Sequence, residues 1–328
     1  MKFRKLGRTN FDVSEIALGL WGMGSWPDSD DQQSRKSLQL AAELGCNFFD
    51  SAWAYGDGKA DGLLGELLNR QPSSNNGHAR LYAASKIAPR NRRWPASPRY
   101  AYDDVFPANY VFEQADSIRR KLQTDVIDLL QFHVWDDSWT DKKEFQETVS
   151  RLKRDGVVRA FGLSLNRWQP ANGIRALRTG LVDSVQVIYN VFDQNPEDEL
   201  FPVCQELNIG VIARVPLDEG SLGGKLTAQT KFAKGDFRSG YFNAENLSAT
   251  LERVGRLKAI LPGSMSLPEL ALRFILSNPV VSTVIVGMRK PEHVRENLGF
   301  SDARPLDSGL LGELKKHRWV RKPKGWSG

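Results

Sequence analysis

The chain has 328 residues, of which 41% are hydrophobic and 26% charged, the composition of an ordinary soluble globular protein. Its net charge of +6 arises from 45 basic and 39 acidic residues, most of which we assign to a solvated surface. No stretch approaches the roughly 18 apolar residues of a membrane-spanning helix. The basic start MKFRKLGRTN is not followed by the apolar segment of a secretory signal. We therefore predict a cytoplasmic protein without a membrane partner.

The cysteines and one basic cluster bear on compartment and partners. Cys46 and Cys204 are the only cysteines and lack metal-ligand spacing, so we predict neither a disulfide framework nor a metal site. The cluster PRNRRWPASPR, residues 89–99, mixes arginine with an aromatic residue, as nucleic-acid sites do. It is short, proline-rich and isolated, so we do not predict a nucleic-acid partner. A small polyanion such as a dinucleotide is a better use for local positive charge.

Predicted strands and helices alternate along the chain. The opening FRKLGRTNFDVS predicts a two-stranded hairpin that turns near Gly7 and Asn10. Eight short apolar or β-branched runs follow, each typical of a parallel strand covered on both faces. In chain order they are EIALGL, CNFFD, RLYAASK, DVIDLLQFH, VVRAFGLS, DSVQVIYN, IGVIAR and STVIVGM.

Amphipathic helices are predicted between these strands. Their apolar residues recur every three or four positions: Leu38, Ala41 and Ala42 before Gly45; Val111, Ala115, Ile118 and Leu122; and Phe145, Val149 and Leu152 before Gly156. Eight strands alternating with helices fit a single (β/α)8 TIM barrel over residues 1–328 better than a doubly wound sheet. Two long loops, residues 87–108 and 215–245, follow the third and seventh barrel strands, where barrel enzymes keep specificity loops and lids.

Four residues with chemical potential lie at the predicted strand ends. Asp50, Lys86 and His133 each end a different strand, and Tyr55 follows the second strand in a glycine-flanked loop. The carboxyl ends of barrel strands converge on one face, so we expect these residues to meet there. Tyrosine has an unperturbed pKa of about 10, which a neighbouring ammonium lowers. Lys86 would do this for Tyr55, Asp50 would hold Lys86 charged, and His133 would orient a carbonyl oxygen.

Such a group can hand a proton to an oxygen on which negative charge develops. It contains no nucleophile and no metal cluster, so a hydride-donating cofactor must supply the electrons. Taken singly, each residue also has a structural explanation, as a surface lysine, a packed tyrosine or a core histidine. Their joint placement at successive strand ends favours the functional interpretation.

The sequence resembles the aldo-keto reductase superfamily over essentially its whole length. FFDSAWAYGDGKADGLLGELL resembles the family's Asp-Tyr signature, YAASK its lysine strand and DLLQFH its histidine strand. The resemblance implies a barrel that binds NADPH, or NADH with lower affinity, and that transfers a hydride to an aldehyde or ketone. It also implies that Tyr55 is the general acid, that Lys86 and Asp50 tune it, and that His133 is the orienting donor.

The resemblance further implies a set of cofactor-binding residues. GLWGM resembles the loop at the nicotinamide ribose, FGLSLNRW the carboxamide segment, RVPLDEGSLGGK the pyrophosphate loop and VGMRKPEHVRENL the adenosine-phosphate segment. Leu165 intervenes between Ser164 and Asn166, which leaves open which of the two contacts the carboxamide. The implied residues are Gly22, Met23, Asp50, Ser164, Asn166, Gln186, Arg214, Pro216, Leu217, Gly220, Lys225, Arg238, Gly287, Arg289, His293, Glu296 and Asn297.

Arg214 departs from the family pattern, because much of the family has there an aromatic residue that stacks on the nicotinamide. A planar guanidinium can also stack on that ring; the alternative is that Arg214 pairs with Asp218 or Glu219. His293 is a second departure, at a position where many subgroups have arginine or glutamine. Arg289 and the other basic side chains near the adenosine end favour NADPH, and because His293 departs from the commoner arginine, we predict a preference for NADPH over NADH rather than exclusivity.

The expected partner is a small-molecule carbonyl compound, whose identity the sequence leaves open, as it does the oligomeric state. Four tryptophans lie on or beside strand-end loops, and we expect two or three of them to wall an apolar substrate pocket: Trp21, Trp53, Trp94 and Trp135. The alternative function is a cofactor-binding regulatory module resembling potassium-channel β-subunits. An isomerase or aldolase barrel would need a Schiff-base lysine or a metal cluster, and no such group is visible.

Overall fold

Eight parallel strands pair edge to edge into a closed barrel in the computed structural model, which describes residues 1–24, 26, 28–70, 80–303 and 305–321. An antiparallel hairpin of β1 (Phe3–Lys5) and β2 (Asp12–Ser14) precedes the barrel. The barrel strands are β3 (Ile16–Gly19), β4 (Phe48–Asp50), β5 (Tyr82–Ile87), β6 (Ile127–Phe132), β7 (Val158–Ser164), β8 (Ser184–Ile188), β9 (Gly210–Arg214) and β10 (Val281–Gly287). They follow one another in chain order, and β10 closes the ring between β9 and β3. The predicted TIM barrel and N-terminal hairpin are confirmed.

Helices separate most of these strands. They are α1 (Asp31–Glu43), α2 (Lys59–Arg70), α3 (Tyr102–Val105), α4 (Ala108–Leu122), α5 (Lys143–Arg154), α6 (Ile174–Arg178), α7 (Leu200–Glu206), α8 (Arg238–Tyr241), α9 (Ala244–Ala259), α10 (Leu267–Leu276), α11 (Pro291–Gly299) and α12 (Ser308–Lys315). The apolar face predicted for α4 is buried as expected. None of the helices within the described ranges is long and apolar enough to cross a membrane. Cys46 and Cys204 are both free and buried.

The barrel interior changes from apolar at one end to polar at the other. Side chains alternate across each strand, so every second residue faces inward. The inward residues of the lower part form an apolar cluster: Ala17, Phe48, Ala84, Leu129, Ala160, Ile212 and Ile285. Two positions further along four of these strands come Asp50, Lys86, Gln131 and Arg214. The same alternation that fills the core therefore presents polar groups at the carboxyl mouth.

The hairpin closes the opposite, amino end of the barrel. Leu6, Phe11 and Val13 pack into the lower apolar cluster. Gly7 has a φ of +50°, and a Cβ at this position would lie 2.2 Å from the backbone nitrogen of Gly210. Only glycine allows the hairpin to approach β9 this closely.

The two long connections contain more structure than the sequence predicts. Residues 87–108 include α3, and residues 215–245 include a 3₁₀ segment (Asp218–Gly223) and α8. Each of these helices is only one or two turns long, too short for an apolar repeat to be visible in the sequence. Tyr102 of α3 and Tyr241 of α8 are buried, and these two aromatic side chains anchor the connections to the body of the barrel.

Candidate active site

A buried lysine joins three groups at the carboxyl mouth of the barrel. The Nζ of Lys86 donates to the Oδ2 of Asp50 at 2.6 Å and to the carbonyl of Ser51 at 2.7 Å. It also lies 3.4 Å from the hydroxyl of Tyr55. Lys86 and Asp50 are almost completely excluded from solvent, whereas Tyr55 is partly exposed. The structure thus brings together three of the four residues predicted from separate strand ends.

The charges in this group follow from burial and neighbours. Burial acts to lower the pKa of Lys86, but Asp50 and Tyr55 outweigh it, so the pKa is raised and the ammonium stays charged. Burial raises the pKa of Tyr55 above its ordinary value, while Lys86 opposes this. The net direction differs from the sequence-based expectation, because desolvation of the phenolate is the larger effect. Tyr55 is therefore a protonated phenol with a cation beside its oxygen.

Asp50 is held from two further strands. Its Oδ1 accepts a hydrogen bond from the Nε2 of Gln186 at 2.8 Å and from the Nε2 of Gln131 at 3.5 Å. Gln131 is not among the residues predicted for the site. The signal was present, since Gln131 stands two positions before His133 and therefore on the inward face of β6.

His133 lies next to the phenol. The two rings are 5.8 Å apart at an interplanar angle of 77°, an edge-on contact. Burial, reinforced by Lys86 and Arg214, holds the pKa of His133 well below its ordinary value, so the imidazole is neutral. Its Nδ1 is buried and has no hydrogen-bond partner among the described residues. A neutral imidazole retains one N–H that can donate to an oxygen.

The four tryptophans predicted to wall a pocket separate into two groups. Trp21 and Trp94 are 45% and 43% exposed, and their rings lie 6.4 Å from Tyr55 and 5.8 Å from His133, respectively. Trp53 is partly buried and packs within its own loop, where its ring occupies the space beside Gly58.

Trp135 has no exposed surface, and its ring lies 4.6 Å from Phe145 of α5 and 5.7 Å from Trp139. The prediction of a pocket-wall role is wrong for Trp135, because the chain after His133 turns into the layer between strand and helix.

Asp50, Tyr55, Lys86 and His133 are named here the tetrad. Beside the tetrad, a row of polar residues continues around the mouth. Ser164 pairs in register with Gln186, and Ile188 with Arg214. Ser164 lies on the same inward face as Gly162, two positions before it. Asn166 instead donates to the carbonyl of Ala96 at 3.4 Å and so supports the 87–108 connection.

Arg214, at the end of β9, extends from this row toward the residue that follows β7. Its Nη2 donates to the carbonyl of Leu165 at 3.0 Å, and its buried Nε has no partner among the described residues. Burial, reinforced by Arg167, lowers its pKa. Asp218 and Glu219 bind Arg167 rather than Arg214, so the alternative pairing considered above is wrong.

The basic residues predicted for the cofactor phosphates come from two connections that lie side by side. A Cβ at Gly22 would lie 3.6 Å from the Cδ of Arg289, and a Cβ at Gly220 would lie 3.8 Å from an Nη of Arg238. Burial alone would raise the pKa of Asp236, but Arg238 and Arg289 lower it. Both arginines therefore lie near the carboxylate of Asp236, and Arg289 also lies near the loop after β3.

Lys225 is close enough to His293 to act on it electrostatically. Burial lowers the pKa of His293, and Lys225 lowers it further. Glu296 is exposed on α11, and Gly287 is exposed at the end of β10. Leu217 is partly buried, and its carbonyl accepts from the N–H of Gly220 at 2.9 Å.

Three predicted cofactor residues have buried side chains. Met23 is fully buried in the main core, so only its backbone faces the mouth. Pro216 is buried in its loop. Asn297 is buried too, and its amide donates to the carbonyl of His293 at 2.9 Å.

An aromatic contact that the sequence did not indicate joins the loop after β3 to the loop after β9. The rings of Trp21 and Phe237 stack at 4.9 Å, and Trp26 meets both rings edge-on. Gly24 permits the close approach of this segment to Tyr55, since a Cβ at Gly24 would lie 2.5 Å from the Tyr55 backbone. Within the described residues, no group of three or more His, Cys, Asp or Glu side chains could hold a metal ion.

Comparison with known proteins agrees with this geometry. The uncharacterized oxidoreductase YqkF of Bacillus subtilis is 29% identical over 321 residues, covering 97% of this chain and 96% of its own. An NADH-specific methylglyoxal reductase of Escherichia coli is 28% identical and covers 96% of this chain and 98% of its own. A probable voltage-gated potassium channel subunit beta of Oryza sativa subsp. japonica is 26% identical and covers 93% of each chain.

Among solved structures, the holo form of the aldo-keto reductase AKR11C1 from Bacillus halodurans is similar over 100% of both chains, with 26% identity and a TM-score of 0.76. The profile of the aldo/keto reductase family matches residues 15–318, a range that includes all eight barrel strands and the tetrad. The chain therefore belongs to the aldo/keto reductase family, a family of oxidoreductases.

Proposed function

We propose that this protein reduces an aldehyde or ketone to the alcohol with NADPH, and that Tyr55 supplies the proton. The observation that carries the proposal is the position of the Lys86 ammonium, within hydrogen-bond distance of both the Asp50 carboxylate and the Tyr55 hydroxyl. A protonated phenol beside a fixed cation is suited to give its proton to an oxygen that becomes negative.

The residues at the mouth fit a nicotinamide cofactor. Arg214 offers a buried Nε without a partner among the described residues, beside the polar row of Ser164 and Gln186. Gln186 and either Ser164 or Asn166 would hold the carboxamide, and Arg214 would lie against the ring. The remaining contacts would come from Gly22, Met23 and Asp50 near the ribose, from Pro216, Leu217, Gly220, Lys225 and Arg238 at the pyrophosphate, and from Gly287, Arg289, His293, Glu296 and Asn297 at the adenosine end. When bound, the cofactor supplies the hydride.

The chain's own residues perform the proton chemistry. The neutral His133 and the Tyr55 hydroxyl would both donate to the carbonyl oxygen of the substrate. As negative charge develops on that oxygen, the Tyr55 proton passes to it. Lys86 stabilises the phenolate that remains, and Asp50 keeps Lys86 charged and in position. Trp21 and Trp94 would flank the small carbonyl compound.

We also propose a preference for NADPH over NADH. The basic side chains at the adenosine end, above all Arg289, support it, because a guanidinium matches a phosphate with two parallel donors. A relative is named for NADH specificity, and His293 replaces the commoner arginine, so the preference is graded rather than absolute.

The test is an NADPH-oxidation screen over a panel of aldehydes and ketones, with Tyr55→Phe assayed in parallel and cofactor binding measured separately. We expect wild type to turn over at least one compound and Tyr55→Phe to bind NADPH without turnover. A variant as active as wild type would remove Tyr55 from the mechanism.

The channel-subunit relative favours a second candidate, a regulatory module that binds the cofactor. Tight NADPH binding by wild type without reduction of any carbonyl on the panel would favour this candidate over the enzyme. We propose a cytoplasmic location for either function, supported by the two buried free thiols.

A further inference from the structure

A cluster of buried charges lies beneath residues 215–224, the segment that follows β9 and that is named here the 215–224 loop. The cluster is separate from the tetrad and uses none of its residues. Its members come from four parts of the chain and are almost fully excluded from solvent: Arg167, Asp193, Asp218, Glu219 and Arg321.

Asp218 is the centre of the cluster and belongs to the loop itself. Its Oδ1 accepts from an Nη2 of Arg321 at 2.6 Å and of Arg167 at 3.2 Å, and its Oδ2 accepts from the hydroxyl of Ser221 at 2.7 Å. The side chain has no exposed surface. A buried carboxylate with this many donors has one position open to it, and it fixes the backbone to which it is attached.

The backbone of the loop requires such support. Val215, Asp218 and Glu219 have φ values of +55°, +45° and +55°, which residues other than glycine rarely adopt. Conformations of this kind persist when the surrounding structure over-determines them. The hydrogen bonds to Asp218 are among the contacts that hold the middle of the loop in place, together with the ion pair of Glu219 and Arg167.

Arg321 reaches this cluster from the far end of the chain, 103 residues after Asp218. Its guanidinium lies 4.4 Å from the ring centre of Trp319 and also binds Asp193 at 3.2 Å. Without Arg321, the three carboxylates of the cluster would face the single guanidinium of Arg167. A buried carboxylate left without its partner is strongly unfavourable, so the loop would leave its position or the cluster would admit water.

We propose that Arg321 is a positioning residue for the cofactor: through Asp218, it holds the 215–224 loop in the conformation that binds the pyrophosphate. The inference rests on the proposed function, in which this loop contacts the cofactor. Arg321 itself is not among the residues proposed to contact cofactor or substrate. Coupling between two sites is reciprocal, so bound cofactor in turn stabilises the docking of Arg321.

The test compares Arg321→Met and Arg321→Lys with Arg318→Met. Arg318 lies on the same segment but forms an exposed ion pair with Asp198, so its replacement removes the same charge without touching the cluster. We expect the Kd of NADPH, measured by quenching of tryptophan fluorescence, to rise roughly tenfold in Arg321→Met, a size typical of coupled sites. Arg321→Lys should be intermediate and Arg318→Met unchanged.

Kinetic constants at saturating NADPH distinguish positioning from a general loss of structure. In Arg321→Met, kcat and the KM of the carbonyl compound should stay within about twofold of wild type, since the tetrad is untouched. If this variant does not fold, the double variant Arg321→Met/Asp193→Asn restores the charge balance of the cluster. The double variant should also bind NADPH roughly tenfold more weakly than wild type, because Asp218 still lacks the hydrogen bond from Arg321.

Three results would overturn the inference. One is an unchanged Kd in a folded Arg321 variant while wild type binds NADPH, which leaves the proposed function intact. Another is equal weakening in Arg318→Met. The last is failure of wild type to bind NADPH at all, which would contradict the proposed function as well.

Discussion

The Lys86 ammonium lies 3.4 Å from the Tyr55 hydroxyl and 5.0 Å from the centre of its ring, so one buried cation lies close to both the oxygen and the ring of the phenol. Burial alone would make Tyr55 a very poor acid, and Lys86 is the nearby charge that offsets this. The balance between the two effects determines how readily the proton leaves.

Replacing Lys86 tests that balance. We expect Lys86→Met to lower kcat by roughly 10²-fold or more, because the phenolate then loses its hydrogen-bonded cation, while NADPH affinity changes little. Asp50 keeps its hydrogen bonds from Gln186 and Gln131, which favours folding of the variant. The measurement is kcat between about pH 6 and pH 8. A kcat of Lys86→Met equal to that of wild type at neutral pH would show that Lys86 does not tune the pKa of Tyr55.

The same pKa directions predict the pH profile of wild type. The pKa of Tyr55 is raised and that of His133 is well below its ordinary value, so neither group changes protonation near neutrality. We expect kcat for carbonyl reduction to be level from about pH 6 to pH 8 and to fall only in more alkaline solution, as Tyr55 loses its proton. A decline centred near pH 6.5 would show that a charged imidazole takes part.

Arg289 is predicted to discriminate between the two cofactors. Its replacement by alanine should weaken NADPH binding about tenfold and leave NADH binding nearly unchanged, because only NADPH presents a phosphate at that end. Titration of both cofactors against wild type and the variant measures this. Lys316→Ala, which removes an exposed charge directly after α12, is the control for general electrostatic attraction. Equal affinities for NADPH and NADH in wild type would contradict the prediction.

Arg214 is predicted to favour the reduced cofactor. Arg214 ends β9, and its guanidinium is fixed by a hydrogen bond to the carbonyl of Leu165. Its positive charge should repel the charged oxidised nicotinamide ring more than the neutral reduced ring. In Arg214→Tyr, the ratio of affinities for the reduced and oxidised forms should fall several-fold, about 1 kcal/mol. Arg214→Met separates charge from stacking. If the ratio is the same in all three proteins, the role of Arg214 is structural.

A buried carboxyl beside the tetrad gives a stability prediction. Burial raises the pKa of Asp61 to about 6, although the hydroxyl of Ser85 donates to it at 2.9 Å. A folded-state pKa above the unfolded value of about 3.9 means that stability is present at low pH and is lost as pH rises toward 6, by about 3 kcal/mol in total. As pH rises from about 4.5 to 7.5, the free energy of unfolding of Asp61→Asn should therefore increase relative to that of wild type. Urea unfolding at both values measures this, and a pH-independent difference would contradict it.

Sequence reasoning was effective where a residue's place follows from strand periodicity. Asp50, Lys86 and His133 end apolar runs, and the two-residue repeat brings Asp50 and Lys86 to one inward face. The net pKa of Tyr55 could not be predicted, because it depends on how much water the folded loops exclude. The sequence does not predict the place of Trp135 for a related reason: three residues past the end of β6, nothing in the sequence says whether a side chain turns toward the mouth or toward the helices.

The buried charge cluster lay beyond prediction for a different reason. Arg167, Asp218 and Arg321 are far apart in the chain and follow no periodic pattern that would bring them together, and charged residues in loops are usually exposed. Only the folded connections show that three such residues share one enclosed space. Periodicity predicts the direction of a side chain within an element, whereas pairing between loops depends on the whole path of the chain.

The segment that carries Trp94, residues 87–108, is held by hydrogen bonds at its ends and at its middle. Arg90 donates to the carbonyls of Asp103 and Asp104, Ala96 accepts from Asn166, and Tyr110 donates to the carbonyl of Ala88. None of these supports passes through the residues around Lys86. Under the proposed function, the segment is therefore the part of the chain to randomise for a broader substrate range: its exchange leaves the hydrogen bonds of Lys86 with Asp50 and Tyr55 intact, although it removes the contact between the Trp94 and His133 rings.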